Sequence, residues 1–159
     1  MGASVKGAAG AGGAAAAKAG AGVKWSLFGK GGNPSGDIVQ GALQDVWLLG
    51  ALAALTTKPE LVKALFVKPS PQGLECGIHT VAFYKDGKRV EVTVDDRLPC
   101  TQEGRLLFGR ARDASELWVA LVEKAYAKLH GCYENLGGGS GGGSVAYALR
   151  DLTGGVAQV

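Results

Sequence analysis

The sequence predicts an α+β domain built on a central buried helix and a small antiparallel hairpin, and three observations carry that expectation. Residues 44–55 are apolar almost throughout, residues 78–94 divide into two strand-like runs around Asp86-Gly87, and residues 115–131 place apolar side chains at helical spacing. A chain of 159 residues with 47% hydrophobic content has the material for about one core.

From Gln44 to Leu55 the side chains of Val46, Trp47, Leu48, Leu49, Leu52 and Leu55 leave few polar positions. A helix here is expected to be buried on most of its sides and to form the centre of the core. Lys58-Pro59-Glu60 starts a second helix, because proline suits the first helical position and Leu61, Val62, Leu65 and Phe66 follow at helical spacing. Pro69 and Pro71 end it. Ile78 to Tyr84 and Arg89 to Val94 read as strands, and Asp86-Gly87 is a hairpin turn. In the second strand Val90, Val92 and Val94 alternate with Arg89, Glu91 and Thr93, giving one buried and one solvated face. Ser115 is placed to cap the last long helix, whose stripe of Leu117, Trp118, Leu121, Val122, Ala125, Tyr126 and Leu129 ends at Gly131.

Around these elements the composition changes. Residues 1–22 mix helix-favouring alanine with helix-breaking glycine and offer no large apolar side chain, so a disordered leader is expected. Gly29 to Gly36 is a loop by its glycines and Asn33-Pro34. The domain is expected over 23–136, a flexible Gly/Ser linker over 137–144, and over 145–159 a piece too poor in apolar residues to be a domain. The formal charge of +3 is mild and the basic residues are scattered among acids, which argues against nucleic-acid binding. Cys76, Cys100 and Cys132 are odd in number and far apart, so neither a disulfide framework nor a zinc site is expected. With no Leu-rich apolar run, neither a signal peptide nor a membrane span is expected, and a cytoplasmic location follows by default. Lys6 stands where acylation of Gly2 would want Ser or Thr.

One segment says more than periodicity can. Gln40-Gly41-Ala42-Leu43-Gln44-Asp45-Val46-Trp47-Leu48-Leu49 resembles the nucleophile segment of the calpain family of calcium-dependent cysteine proteases, whose pattern is Q-G-x-x-x-D-C-W-x-L. Val90 to Pro99, Leu106-Leu107-Phe108, Ser115 to Trp118 and Glu123 to Lys128 follow in the order and spacing of the first half of a calpain core. Asp151-Leu152-Thr153-Gly154-Gly155 resembles the opening of the second half. The resemblance implies a papain-like fold, of which this chain is the mainly helical N-terminal subdomain.

It also implies a site. Such a protease needs a thiolate at a helix N-terminus, where the helix dipole lowers the thiol pKa, and a histidine to pair with it. The pattern's cysteine falls on Val46, and neither His79 nor His130 matches the family's catalytic histidine, which with its asparagine belongs to the other half-core. Gln40 matches the oxyanion-hole donor, Trp47 flanks the lost nucleophile, and Gly138 and Gly139 lie near the family's substrate-binding glycine pair. Asp95, Asp96 and Arg97 are expected to be structural. A calcium site is implied as well, with carboxylates from Asp37 and Glu116 and backbone carbonyls from Lys30 and Gly32. Ser35 replaces an arginine that links this loop to the second half-core in the family.

The expected function is that of a calpain-type endopeptidase subdomain, inactive as it stands, whose partners are the second half of the core and protein substrates. Val46 and the linker-like GGGSGGGS support an engineered, shortened calpain; the alternative, with which Val46 and the Ala/Gly leader are compatible, is a natural non-catalytic calpain-like scaffold or protein-binding module, and a third reading is a folded fragment with no independent function.

Overall fold

The centre of the core is the long helix near residue 120 rather than the apolar helix before it. The computed structural model describes residues 25–29, 31–68, 73, 75–113, 115–137 and 143–156. The leader at 1–22 and most of the linker fall outside them. In order, the elements are β1 (Ile38–Val39), α1 (Val46–Leu55), α2 (Pro59–Leu65), β2 (Phe66–Val67), β3 (Ile78–Lys85), β4 (Lys88–Asp95), β5 (Arg110–Ala111), α3 (Trp118–Leu129), a 3-10 turn (Tyr133–Leu136) and α4 (Val145–Thr153).

Every residue of α3 except Lys124, Lys128 and Leu129 is buried, because the helix is covered by β3, β4, β5 and the 3-10 turn together. Helix α1 buries Leu48, Leu49, Ala51, Leu52 and Leu55 but leaves Val46, Gly50 and Ala54 exposed. That strip, at spacing i, i+4, i+8, is made of small or apolar residues, so its exposure leaves no polar trace in the sequence.

Strands β2, β3 and β4 form an antiparallel sheet in that order. Phe83 pairs with Val90, Val81 with Val92 and His79 with Val94. The alternation expected from the sequence holds: Val92 and Val94 are buried while Arg89, Glu91 and Thr93 face outward. Asp86 and Gly87 have φ of 51° and 73°, the left-handed pair that a two-residue hairpin turn needs. Along β4, Lys128 Nζ donates to the Thr93 carbonyl at 2.7 Å, and Lys124 Nζ donates to the Asp95 and Arg97 carbonyls at 3.0 and 2.6 Å. Two lysines of α3 thus occupy carbonyls that would otherwise offer themselves to another strand. The Lys124 hydrogen bond also holds the Asp95 carboxyl below its usual range, with the Arg97 N–H helping.

Ser115 does not cap α3. Its N–H and hydroxyl both donate to Asp113 Oδ1, at 2.9 and 2.7 Å. The helix starts two residues later than its capping signal suggested, with Leu117 in the capping position. The reason is a neighbouring strand-like segment. Ser26 N–H donates to the Ser115 carbonyl, and the Leu117 and Trp118 N–H groups donate to the Ser26 and Leu27 carbonyls at 3.0 and 3.1 Å. Backbone from residues 26–27 therefore satisfies the N–H groups a side-chain cap would have taken.

Helix α4 joins the same core. Ser144 caps it by accepting the Ala146 N–H, and Gly154, at φ 72°, ends it. Ala148 and Leu152 are buried with the residues of α1 and β3, against which α4 packs. Two buried apolar residues suffice here because the helix only has to cover an edge.

Candidate functional site

Val46 is the first residue of α1 and is 61% exposed. The position is the one a helix dipole acts on most strongly, but valine brings no atom that the dipole can activate. Upstream, Gln40 Nε2 donates to the Leu43 carbonyl at 3.3 Å, so the amide is turned back on its own loop. That loop is pinned to residues 107–108: Ala42 N–H donates to the Leu107 carbonyl at 2.9 Å, and a Cβ on Gly41 would overlap the Phe108 backbone. Trp47 points the other way. Its Nε1 donates to the Leu136 carbonyl at 3.3 Å, its ring meets Tyr126 edge-on at 5.9 Å, and Gly143 sits against its face with no room for a side chain.

Trp47 thereby walls a cavity of about 180 Å³ shared with Lys85, Tyr126, His130, Tyr147 and Asp151. Asp151 is the buried anion of this region at 1% exposure. It accepts Tyr126 Oη at 3.0 Å and Lys85 Nζ at 3.4 Å on one oxygen, and Arg150 at 3.3–3.4 Å on the other. Burial, then the Asp151 charge, raises the Tyr126 hydroxyl far above its ordinary value. His130 stacks on Tyr126 at 4.5 Å, and burial with the Lys85 charge lowers its pKa against the opposing pull of Asp151. His79, across from Val94 in the hairpin, is likewise lowered by burial, with Asp96 opposing. Both histidines are thus biased toward the neutral form.

The glycine-rich loop forms a second locus. Its start is held to residues 115–118 through Ser26 and Leu27, and its end through the pairing of β1 with β5 and the Arg112 N–H on the Asp37 carbonyl at 2.7 Å. Between these clamps lies Glu116, 4% exposed, whose Oε2 accepts the Ser35 N–H at 3.1 Å and Trp118 Nε1 at 3.2 Å. The Gly29 backbone passes so close that a Cβ there would overlap Glu116 Oε1. Gly31 and Gly32 turn the loop with φ of 86° and 70°. Asp37 lies at the loop's end, its carboxylate 69% exposed and paired with Arg112 Nε at 3.4 Å. The loop therefore places Asp37 and Glu116 at its two sides with separate partners, and among the described residues no three His, Cys, Asp or Glu side chains form a ready metal cluster. Lys30, Gly138 and Gly139 lie outside the described residues.

Two acids at the foot of α1 were not singled out in the sequence. Asp45 is fully buried and Glu123 is 1% exposed. The signal was there: Glu123 shares a helix face with Ala120 and Ala127, where no other charge occurs.

Residues 18–159 match the family described as calpain family cysteine protease. Over 129 residues the chain is 47% identical to the human calpain-2 catalytic subunit, covering 80% of this chain and 18% of that protein. It is 46% identical over 131 residues to human calpain-8, with coverage of 80% and 18%. It is also 46% identical over 132 residues to the calpain-type cysteine protease DEK1 of Arabidopsis thaliana, covering 83% of this chain and 6% of that one. The chain belongs to the calpain family of cysteine proteases. It spans about a fifth or less of the length of these relatives. No described helix is long and apolar enough to cross a membrane.

Proposed function

We propose that the chain is the N-terminal subdomain of a papain-like calpain core, that it cleaves no peptide as it stands, and that it binds calcium through its glycine-rich loop. The observation that carries the loss of activity is Val46, exposed at the start of α1 where the family pattern has cysteine. Gln40 and Trp47 occupy the oxyanion-hole and cleft positions by resemblance, but a donor without a nucleophile has no developing charge to stabilise. Gly138 and Gly139 remain the proposed substrate-backbone contacts, and the second half of the core the proposed partner. The exposed apolar strip of Val46, Gly50 and Ala54 supports such a partner, and supports equally the second reading, a non-catalytic protein-binding module in the cytoplasm.

The loop's chemistry suits a hard cation. Glu116 offers a buried carboxylate against Gly29 backbone, Asp37 a second carboxylate, and Gly32 and Lys30 carbonyls would complete an all-oxygen set. Bound there, calcium would supply positive charge to tie the loop to the start of α3. With two carboxylates the dissociation constant is expected at about 10⁻⁵ to 10⁻³ M. A thermal melt tests this: calcium at about a hundred times its dissociation constant should add roughly 2.7 kcal/mol, and Asp37→Ala should lose most of the upward shift. An unchanged melting temperature in millimolar calcium would remove the calcium half of the proposal.

A further inference from the structure

Asp45 and Glu123 serve neither the calcium loop nor the cavity beside Trp47, yet they hold the start of α1. Among the described residues, both Asp45 carboxyl oxygens are buried without a hydrogen-bond donor, and the Glu123 carboxyl is the other titratable group that acts on them. Glu123 is held by the Gly109 N–H, 3.0 Å from each carboxyl oxygen. Gly109 can come that close because it has no Cβ, which would stand 2.8 Å from Leu49 Cδ2 and 2.9 Å from Glu123 Oε1. The Asp45 carbonyl, in turn, accepts the Leu48 and Leu49 N–H groups that open α1, at 2.8 and 3.2 Å.

Two carboxyl groups hydrogen-bond to each other only if one carries a proton, and two buried carboxylates side by side would repel with no water between them. Among the described residues, no lysine, arginine or histidine lines the small pocket beside Glu123. Leu98, Pro99, Phe108 and Ala120 supply apolar walls, and among the described residues Tyr133 is the other titratable group on this pocket, its own hydroxyl raised by burial and by the Glu123 charge. We propose that Asp45 and Glu123 share a single proton at neutral pH, and that this buried acid–carboxylate bond is the positioning device that fixes the first turn of α1, and hence residue 46, against α3 and the 106–109 segment.

Burial, with the Asp45 charge second, pushes Glu123 up from 4.5 to about 9, and burial raises Asp45 as well, so the pair retains a proton at neutral pH; its one negative charge lies at the positive end of α1. The pKa is raised on folding, so the stability the pair contributes is fully present below 4.5 and is lost as pH rises to about 9. The inference does not depend on calcium binding.

The test is a carbon-detected NMR titration of the full chain, with thermal melts across the same pH range. One glutamate carboxyl should stay protonated at neutral pH and titrate near 9, and the backbone carbons of Val46 to Leu49 should shift with the same midpoint. In Glu123→Gln, whose amide donates to Asp45 and accepts from Gly109, that carboxyl signal and the coupled backbone shift should both vanish. Its melting temperature should match the wild type in mild acid and rise progressively above it toward pH 9. Asp45→Asn should return the Glu123 midpoint toward its ordinary value. A chain in which every glutamate is ionised at neutral pH, or in which Glu123→Gln and wild type show parallel pH curves, would overturn the proposal.

Discussion

Replacing Asp151 with alanine is expected to lower stability by about 2–3 kcal/mol. Tyr126 is 1% exposed, and its hydroxyl donates to Asp151, so the variant strands a buried O–H. Lys85 and Arg150 lose the same partner, but their side chains are 38% and 46% exposed and recover water. The loss should therefore fall below the full cost of breaking a wholly buried ion pair. In a domain of this size it corresponds to a fall in melting temperature of about 5–10 °C. Asp151→Asn, which still offers Tyr126 an acceptor, should lose less than half as much. An alanine variant as stable as the wild type would mean that α4 does not hold its place on β3 and α3 in solution.

Replacing Glu116 has two separable consequences. Alanine leaves the Ser35 N–H and Trp118 Nε1 without their acceptor, and Trp118 is fully buried, so about 2–3 kcal/mol should be lost with or without calcium. Glutamine keeps an oxygen for both donors but removes the charge that a hard cation needs. Glu116→Gln should accordingly melt close to the wild type in the absence of calcium and show a much smaller rise when calcium is added. If glutamine responds to calcium as fully as the wild type, Glu116 is a loop anchor and nothing more.

The hairpin was legible because its signals are local: Asp86-Gly87 admits the left-handed turn, and Val90, Val92 and Val94 mark the buried face whatever packs upon it. The role of α1 was less legible. Its exposed strip is Val46, Gly50 and Ala54, and small apolar residues read alike whether they meet protein or water. The start of α3 was misread because the Ser115 signal is local while its competitor is not: the backbone of Ser26 and Leu27, some ninety residues earlier, takes the N–H groups. A separation of 81 residues hid the partnership of Glu116 with Ser35, and a comparable one hid the proposed partnership of Asp45 with Glu123. A charge inside an apolar helix face announces burial, but only the fold says which group it meets. Val46, which the proposed function puts in the place of the nucleophile, needs no fold to be seen, because it is the identity of one residue in a ten-residue pattern.

The most direct test of the central claim, that this sequence does not form a complete protease site, is an activity assay on Val46→Cys. The full 159-residue chain with that change would be incubated with calcium and an unfolded protein substrate, beside the unaltered chain. Restoring the thiol restores one member of a unit whose loss costs roughly a millionfold, and the two histidines in this sequence stack on Tyr126 and sit in the β3–β4 hairpin. The expected result is no cleavage above that of the unaltered chain. Calcium-dependent cleavage by the cysteine variant would contradict the account, because a base able to activate residue 46 would then have to lie within this chain or a second copy of it.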